Sequence, residues 1–260
     1  MRPRGNSHWR SAVGVAGCVI VAVMLTAQSG DPLPPGPPAE FHFLRLQYTD
    51  YRGTRVFRRG WWMQDWPEAD IHFTMGIERL TRIHIGNGRH VRLTDPELFD
   101  YPWIYATQVG FWDLSDAETA KLREYLLRGG FLMADDFHGP QDWERFRQTM
   151  DRVLPGEPIV DMQDGDAILN VLYSIKERVL IPGMRHVRRG PGGNLVIQPT
   201  ATPDHWRVIN DPKGRAIVAI NFNMDVGDAW EHADTPEYPE QMTSLAYRVG
   251  INYILYAMTH

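Results

Sequence analysis

Apolar and polar residues alternate over 41–48 (FHFLRLQY), a spacing of two that predicts a strand with one face buried. The next segment changes period. Ala69, Phe73, Ile77 and Leu80 recur at three and four, predicting a helix over 65–83, with Asp65 as its cap, Pro67 in the first turn and Glu68 completing a box-like pair. A Gly86-Asn87-Gly88 turn followed by 91–93 suggests a short strand or hairpin. An apolar run at 102–107 leads through a loop to Ser115 and Glu118, spaced as a capping box, and then to a helix with Leu122, Tyr125 and Leu126 on one face. Arg128, Gly129 and Gly130 end that helix, and a second apolar run closes on Asp135 and Asp136. Strand, helix, strand at this spacing is a βαβ unit, so the sheet is at least partly parallel.

Trp143, Phe146, Met150 and Val153 predict a further helix over 141–153, closed by Pro155-Gly156. Residues 157–193 are rich in Gly, Pro and charge and read mostly as loop. Two strand-like runs, 206–209 and 215–222, flank an Asp211-Pro-Lys-Gly214 turn and predict a β-hairpin. A last helix over about 241–258 is apolar on nearly all sides and should be buried. The fold class expected is α/β, a three-layer sandwich around a mostly parallel sheet.

The ends of the chain and its cysteine count narrow the setting. Arg2, Arg4 and Arg10 precede an apolar run over 12–27 and then small and polar residues, the layout of a secretory signal cleaved near Ala27 or Ser29 or retained as a signal anchor. Residues 31–38 (DPLPPGPP) form a stiff proline-rich spacer. The expected domains are therefore 1–29 as the targeting segment, 30–40 as the linker and 41–260 as one α/β domain. The protein is expected to be exported, either periplasmic or held to the membrane through the N-terminal segment alone. Cys18 is the sole cysteine, so a cleaved chain has no disulfide, no thiolate nucleophile and no cysteine ligand. Losing three arginines takes the net charge from −5 to −8, which argues against a nucleic-acid partner. Two basic clusters, Arg52, Arg55, Arg58, Arg59 and Arg185, Arg188, Arg189, could hold an anion or serve as solvated loop charge.

Five motifs in this order, WPEADIHFTMGIERLT, YPWIY, LREYLLRGGFLMADDFHG, NMDVGDAWE and YRVGINYILYAM, resemble a bacterial family catalogued as domain-of-unknown-function family 4159. The resemblance spans about 41–260. It implies a class I glutamine amidotransferase-like, flavodoxin-like α/β sandwich, whose members often carry a membrane or export segment. The amidotransferase cysteine, placed on a strand-to-helix turn, has no counterpart beyond position 18, so thiolate glutamine hydrolysis is excluded.

Two motifs carry candidate chemistry. In Asp135-Asp136-Phe137-His138, at the end of a strand, the acids and histidine suit a metal ligand set or a general base. Successive strand residues face opposite ways, so one aspartate alone should enter a given pocket unless the strand bulges. The bland reading makes one acid a cap for the helix after Pro140 and the other an arginine partner. In the second motif, after another strand, Asp225, Asp228 and Glu231 supply oxygens suited to Ca²⁺ or Mg²⁺, with Trp230 and His232 beside them. Asx turns give the same composition without a ligand. Asp70 and His72 lie about 200° apart on an ideal helix and should not share a site; Asp70 is explained by the helix dipole and His72 by the helix surface or core edge. There is no G-x-S-x-G elbow, P-loop or G-x-G-x-x-G fingerprint.

Two functional readings follow. One is a non-catalytic domain that binds a small molecule or protein partner in the envelope through Asp135, Asp136, His138 and residues 225–232. The other is a hydrolase dependent on a divalent cation, using the same acids with His138 or His232 as base.

Overall fold

The computed structural model describes residues 38–52, 60–198 and 206–260. The expected targeting segment, Cys18, nearly all of the proline-rich stretch, and Arg55, Arg58 and Arg59 of the first basic cluster lie outside them.

The predicted alternation at the start of the domain yields a strand, but a short one: β1 (Leu44–Leu46), extended by an isolated bridge from Phe41 to Ile85. Helix α1 (Glu68–Leu80) follows, then β2 (Arg89–Val91), β3 (Trp103–Thr107), α2 (Asp116–Leu127) and β4 (Phe131–Phe137). Helix α3 (Gly139–Val153), β5 (Ile159–Asp161), the small β6 (Val187–Arg189) and β7 (Leu195–Ile197) pair, and β8 (Arg207–Asn210) come next. The chain ends with β9 (Ala216–Phe222), α4 (Val226–Glu231) and α5 (Glu240–Thr259).

Seven strands make one sheet in the order β2-β1-β3-β4-β9-β8-β5. The first five run parallel, and β8 is antiparallel to both of its neighbours, so the sheet is mostly parallel. The βαβ unit forms as its sequence requires. Ser115 and Glu118 satisfy each other's backbone N–H groups at the start of α2, and β3 and β4 pair in register from Trp103↔Phe131 to Thr107↔Asp135. The β8–β9 hairpin also forms, around a turn in which the Asp211 carboxylate accepts from the N–H groups of Lys213 and Arg215.

Both central strands are buried along their whole length, because helices cover both faces of the sheet. Phe43, Trp103, Tyr105, Phe131 and Met133 pack with α1, α4 and α5 on one face. Leu44, Leu46, Ile104, Ala106, Leu132 and Ala134 pack with Leu122, Leu126, Phe146 and Met150 of α2 and α3 on the other. This is an α/β fold in three layers.

Three local expectations are corrected. Helix α1 begins at Glu68 with no side-chain cap, and Asp65 lies before it in a left-handed backbone conformation, φ 60°. Asp70 does not serve the helix dipole alone; its carboxylate receives Arg45, a fully buried guanidinium on β1. The acid-rich segment after β9, whose composition Asx turns alone could give, forms the short helix α4. Among the described residues no helix is long and apolar enough to cross a membrane.

Candidate functional site

In a parallel sheet the loops after the strands gather at the carboxyl edge, where open α/β folds place their ligands. Here the connection after β1, the end of β4 and the segment after β9 bring acids to that edge together, and Gln108 joins them from the end of β3. Strands β4 and β9 are parallel neighbours, so Asp135, Asp136 and His138 meet Asp225 and Asp228 directly.

The alternation rule is broken where β4 ends. Pairing with β9 runs Ala134↔Ile220, then Phe137↔Phe222, so β4 holds one extra residue, and Asp136 takes φ 50°. That bulge lets both aspartates serve one site. They do different work. Asp135 is fully buried, and its carboxylate accepts from Tyr105 Oη at 2.8 Å, Val226 N at 3.0 Å and Gly227 N at 3.0 Å. It therefore caps α4 rather than the helix after Pro140. Burial pushes its pKa up to about 6 despite these donors. Asp136 accepts from Gln108 Nε2 and pairs with His138 Nε2 at 2.8 Å, while Arg185 stands 3.8 Å away. Gln108 reaches it from a left-handed residue at the end of β3.

On the β9 side, Asp225 Oδ1 accepts from Asp228 N at 3.0 Å, and Asp228 Oδ2 accepts from Met184 N at 2.7 Å. The 181–184 segment closes over this pair, with Asp225 N donating to Ile181 O at 2.9 Å. Only glycine fits at 183: a Cβ there would stand 2.5 Å from Asp225 Oδ2 and 3.1 Å from Asp228 Oδ2. Arg185 is the one arginine of the second basic cluster placed at the acids; Arg189 instead pairs with Glu237 at 3.2 Å.

Asp65 completes the cluster, and the sequence reading assigned it elsewhere. It is 7% exposed; Oδ1 accepts from Gln64 Nε2 at 2.6 Å, and Oδ2 has no hydrogen-bond partner among the described residues. It stands at the end of the long connection from β1 to α1, just before the helix, where the sequence offers a cap rather than a site acid. Among the described residues three groups of ligand-type atoms result, each with all atoms within 4.8 Å of one another: Asp136, His138 and Asp225; Asp65, Asp225 and Asp228; Asp228, Glu231 and His232. The first two are largely buried and the third is half-exposed.

Electrostatics follow from crowding acids out of water. Asp65, Asp136 and Asp225 all have pKa values raised well above the ordinary carboxylate range, first by burial; Asp228 and Glu231 then raise Asp65, and neighbouring aspartates of the cluster raise Asp136 and Asp225. Glu231 is raised by burial and by Asp228. Burial, Arg185 and His186 lower His138 to about 3, so its imidazole is neutral at physiological pH.

The remaining candidates separate from the site. Trp230 turns inward: it is fully buried and stacks on Phe73 at 3.9 Å, so it belongs to the core. His72 Nδ1 donates to Trp230 O and Glu231 O, both at 3.0 Å, and so braces α1 against α4. A cavity of about 480 Å³ between α1 and α5, lined by His72, Arg79, Asp234 and Tyr247 among others, holds none of the clustered acids.

No curated protein matches the chain. The family described as a domain of unknown function, DUF4159, matches residues 42–258. The motifs that built this edge fall inside that match, and the chain belongs to the DUF4159 family.

Proposed function

We propose that the acidic edge is a divalent-cation site built on Asp65, Asp225 and Asp228, and that the domain uses the bound ion to hold an oxygen-rich ligand in the bacterial envelope. One observation carries this reading: the buried Asp65 Oδ2 lacks a partner among the described residues, in a carboxylate grouped within 4.8 Å of those of Asp225 and Asp228. A buried polar atom without a partner costs about 1–3 kcal/mol, and crowded carboxylates add repulsion to that. A hard cation with oxygen ligands relieves both.

A second reading, hydrolysis assisted by the cation, rests on the position of His138, a neutral imidazole hydrogen-bonded to Asp136 and grouped with Asp225; with its pKa lowered to about 3 it is a weak base, which keeps this reading second. The export setting rests on the pattern of residues 1–29. A flavodoxin-like, amidotransferase-like sandwich is supported by the β2-β1-β3-β4-β9 order, which matches 2-1-3-4-5 in that fold. Such a fold supplies no chemistry of its own, and Cys18 lies far from every strand-to-helix turn in the sequence.

Thermal unfolding of protein stripped with EDTA tests the cation reading. Adding Ca²⁺, Mg²⁺ or Mn²⁺ at about a hundred times its Kd should stabilise the fold by about 2.7 kcal/mol. Asp228→Asn should fold yet lose the shift. An unmoved Tm with all three ions would refute the proposal, and an unfolded Asp228→Asn would mark that acid as structural.

A further inference from the structure

The segment that closes over the acids also brings a positive side chain to their rim. Residues 181–186 are tied down along their length. Met184 N donates to Asp228 Oδ2 at 2.7 Å, Asp225 N to Ile181 O at 2.9 Å, and Tyr238 Oη to Pro182 O at 2.6 Å. His186 N donates to Gly183 O, and Gln198 N to His186 O, both at 2.8 Å. The site's own acids thus help fix this backbone, and the residue it presents to them is Arg185. We propose that Arg185 and the cation clamp one phosphate group between them, so that the oxygen-rich ligand of the edge is a phosphate monoester. This rests on the cation reading above and names the chemistry of its ligand.

The guanidinium is oriented but not used up. Its Nε donates to His186 Nε2 at 3.1 Å, while Nη2 stands 3.8 Å from Asp136 Oδ1, beyond hydrogen-bond range. That oxygen already has His138 Nε2 at 2.8 Å. Among the described residues neither Nη group of Arg185 has a hydrogen-bond acceptor, and the side chain is 54% exposed. Buried Arg45, by contrast, spends all three of its nitrogens on Asp70, Trp62 and Gln64.

Arg185 stands one carboxylate away from the cation's ligands. Asp136, its neighbour, is grouped within 4.8 Å of Asp225, and Asp225 is a ligand of the proposed ion. A polyatomic anion at the rim can therefore touch guanidinium and ion together. The acids alone repel such an anion, and the bound cation reverses that sign locally. A guanidinium fork takes two oxygens of a carboxylate or a phosphate alike. The cation asks for a further one. A carboxylate has only two oxygens and must give up the bidentate contact, whereas a phosphate monoester has three terminal oxygens and satisfies both partners.

Isothermal titration of the full chain with methylphosphonate, a stable monoester mimic, tests this. It is run with whichever of Ca²⁺, Mg²⁺ and Mn²⁺ stabilises the fold most, and again in EDTA. We expect saturable binding with the cation, binding at least about tenfold weaker without it, and a reciprocal tightening of the cation by methylphosphonate. Arg185→Gln should weaken methylphosphonate at least about tenfold, the scale of a lost hydrogen bond to a charged group. The cation titrated alone should bind that variant as tightly or slightly more so, because a neighbouring positive charge is gone. Acetate should bind the wild type at least about tenfold more weakly than methylphosphonate. Cation binding without methylphosphonate binding would overturn this inference and leave the cation reading standing. Methylphosphonate affinity unchanged by Arg185→Gln or by EDTA would overturn the clamp, and acetate binding equally well would overturn the phosphate assignment. No cation binding would overturn the cation reading and this inference with it.

Discussion

Replacing Asp70 by alanine removes the carboxylate that receives Arg45, and the structure sets the cost. Arg45 is fully buried on β1; its Nε donates to Asp70 at 3.1 and 3.2 Å, Nη2 donates to the same carboxylate, and Nη1 donates to Trp62 O and Gln64 O. The substitution strands two donor nitrogens on a charged group. At about 1–3 kcal/mol per unsatisfied buried donor, the loss is about 2–6 kcal/mol, bracketing the 3–5 kcal/mol typical of a broken buried ion pair. The Asp70 side chain is 10% exposed, so water can reach the gap, which places the expected loss near the lower end, about 3 kcal/mol. With m of about 2–3 kcal/mol per molar urea for a domain of this size, the midpoint should fall by about 1–1.5 M at unchanged m. Had Asp70 served the helix dipole alone, the loss would be about 0.3–1 kcal/mol. Equilibrium urea unfolding followed by tryptophan fluorescence separates the two, and a fall below about 0.3 M would refute the ion-pair argument. The double substitution Arg45→Met with Asp70→Leu should recover most of the loss, because well-packed apolar pairs often replace buried ion pairs without penalty.

Two further outcomes are expected. Cations and protons compete for the same carboxylates, and the pKa values of Asp65, Asp136 and Asp225 are raised, so these groups hold protons under mildly acid conditions where free carboxylates do not. Cation affinity should therefore weaken as pH falls, by up to about tenfold per pH unit for each proton displaced, and the weakening should begin well above the ordinary carboxylate range; affinity that stays independent of pH down to that range would contradict the raised values. Mass spectrometry of protein from its native host should find the mature N-terminus at residues 28–31, and an intact Met1 on a soluble cytoplasmic protein would exclude export.

Period and punctuation made most of the fold legible. The Ser115–Glu118 box, the two glycines after α2 and the Asp211–Gly214 turn are local signals, and each produced its element. Strands β5, β6 and β7, three residues each, escaped because their partners are remote or equally short, and so few residues cannot establish a period. The site was half legible. Two acidic motifs directly after strands pointed to one edge, and their meeting follows from β4 and β9 being neighbours. What failed was any inference needing tertiary context. Asp65 stands where a cap belongs, but its left-handed backbone sends the carboxylate into the cluster. Asp70 occupies a first-turn position suited to the dipole, yet β1 presents a buried arginine to it. Trp230 sits in the densest polar segment and still faces inward, because α4 docks that side against Phe73. The bulge at Asp136, which places both aspartates at one site, leaves no mark in composition.

The most direct test of the central claim is isothermal titration of EDTA-stripped wild-type protein and of Asp65→Asn with Ca²⁺ and Mn²⁺. The wild type should bind saturably, and Asp65→Asn, which keeps the shape but removes the charge of the acid with the unpartnered oxygen, should lose at least about tenfold in affinity while unfolding at the same or a slightly higher temperature. Equal affinity in the two proteins, or no binding to the wild type, would contradict the cation site.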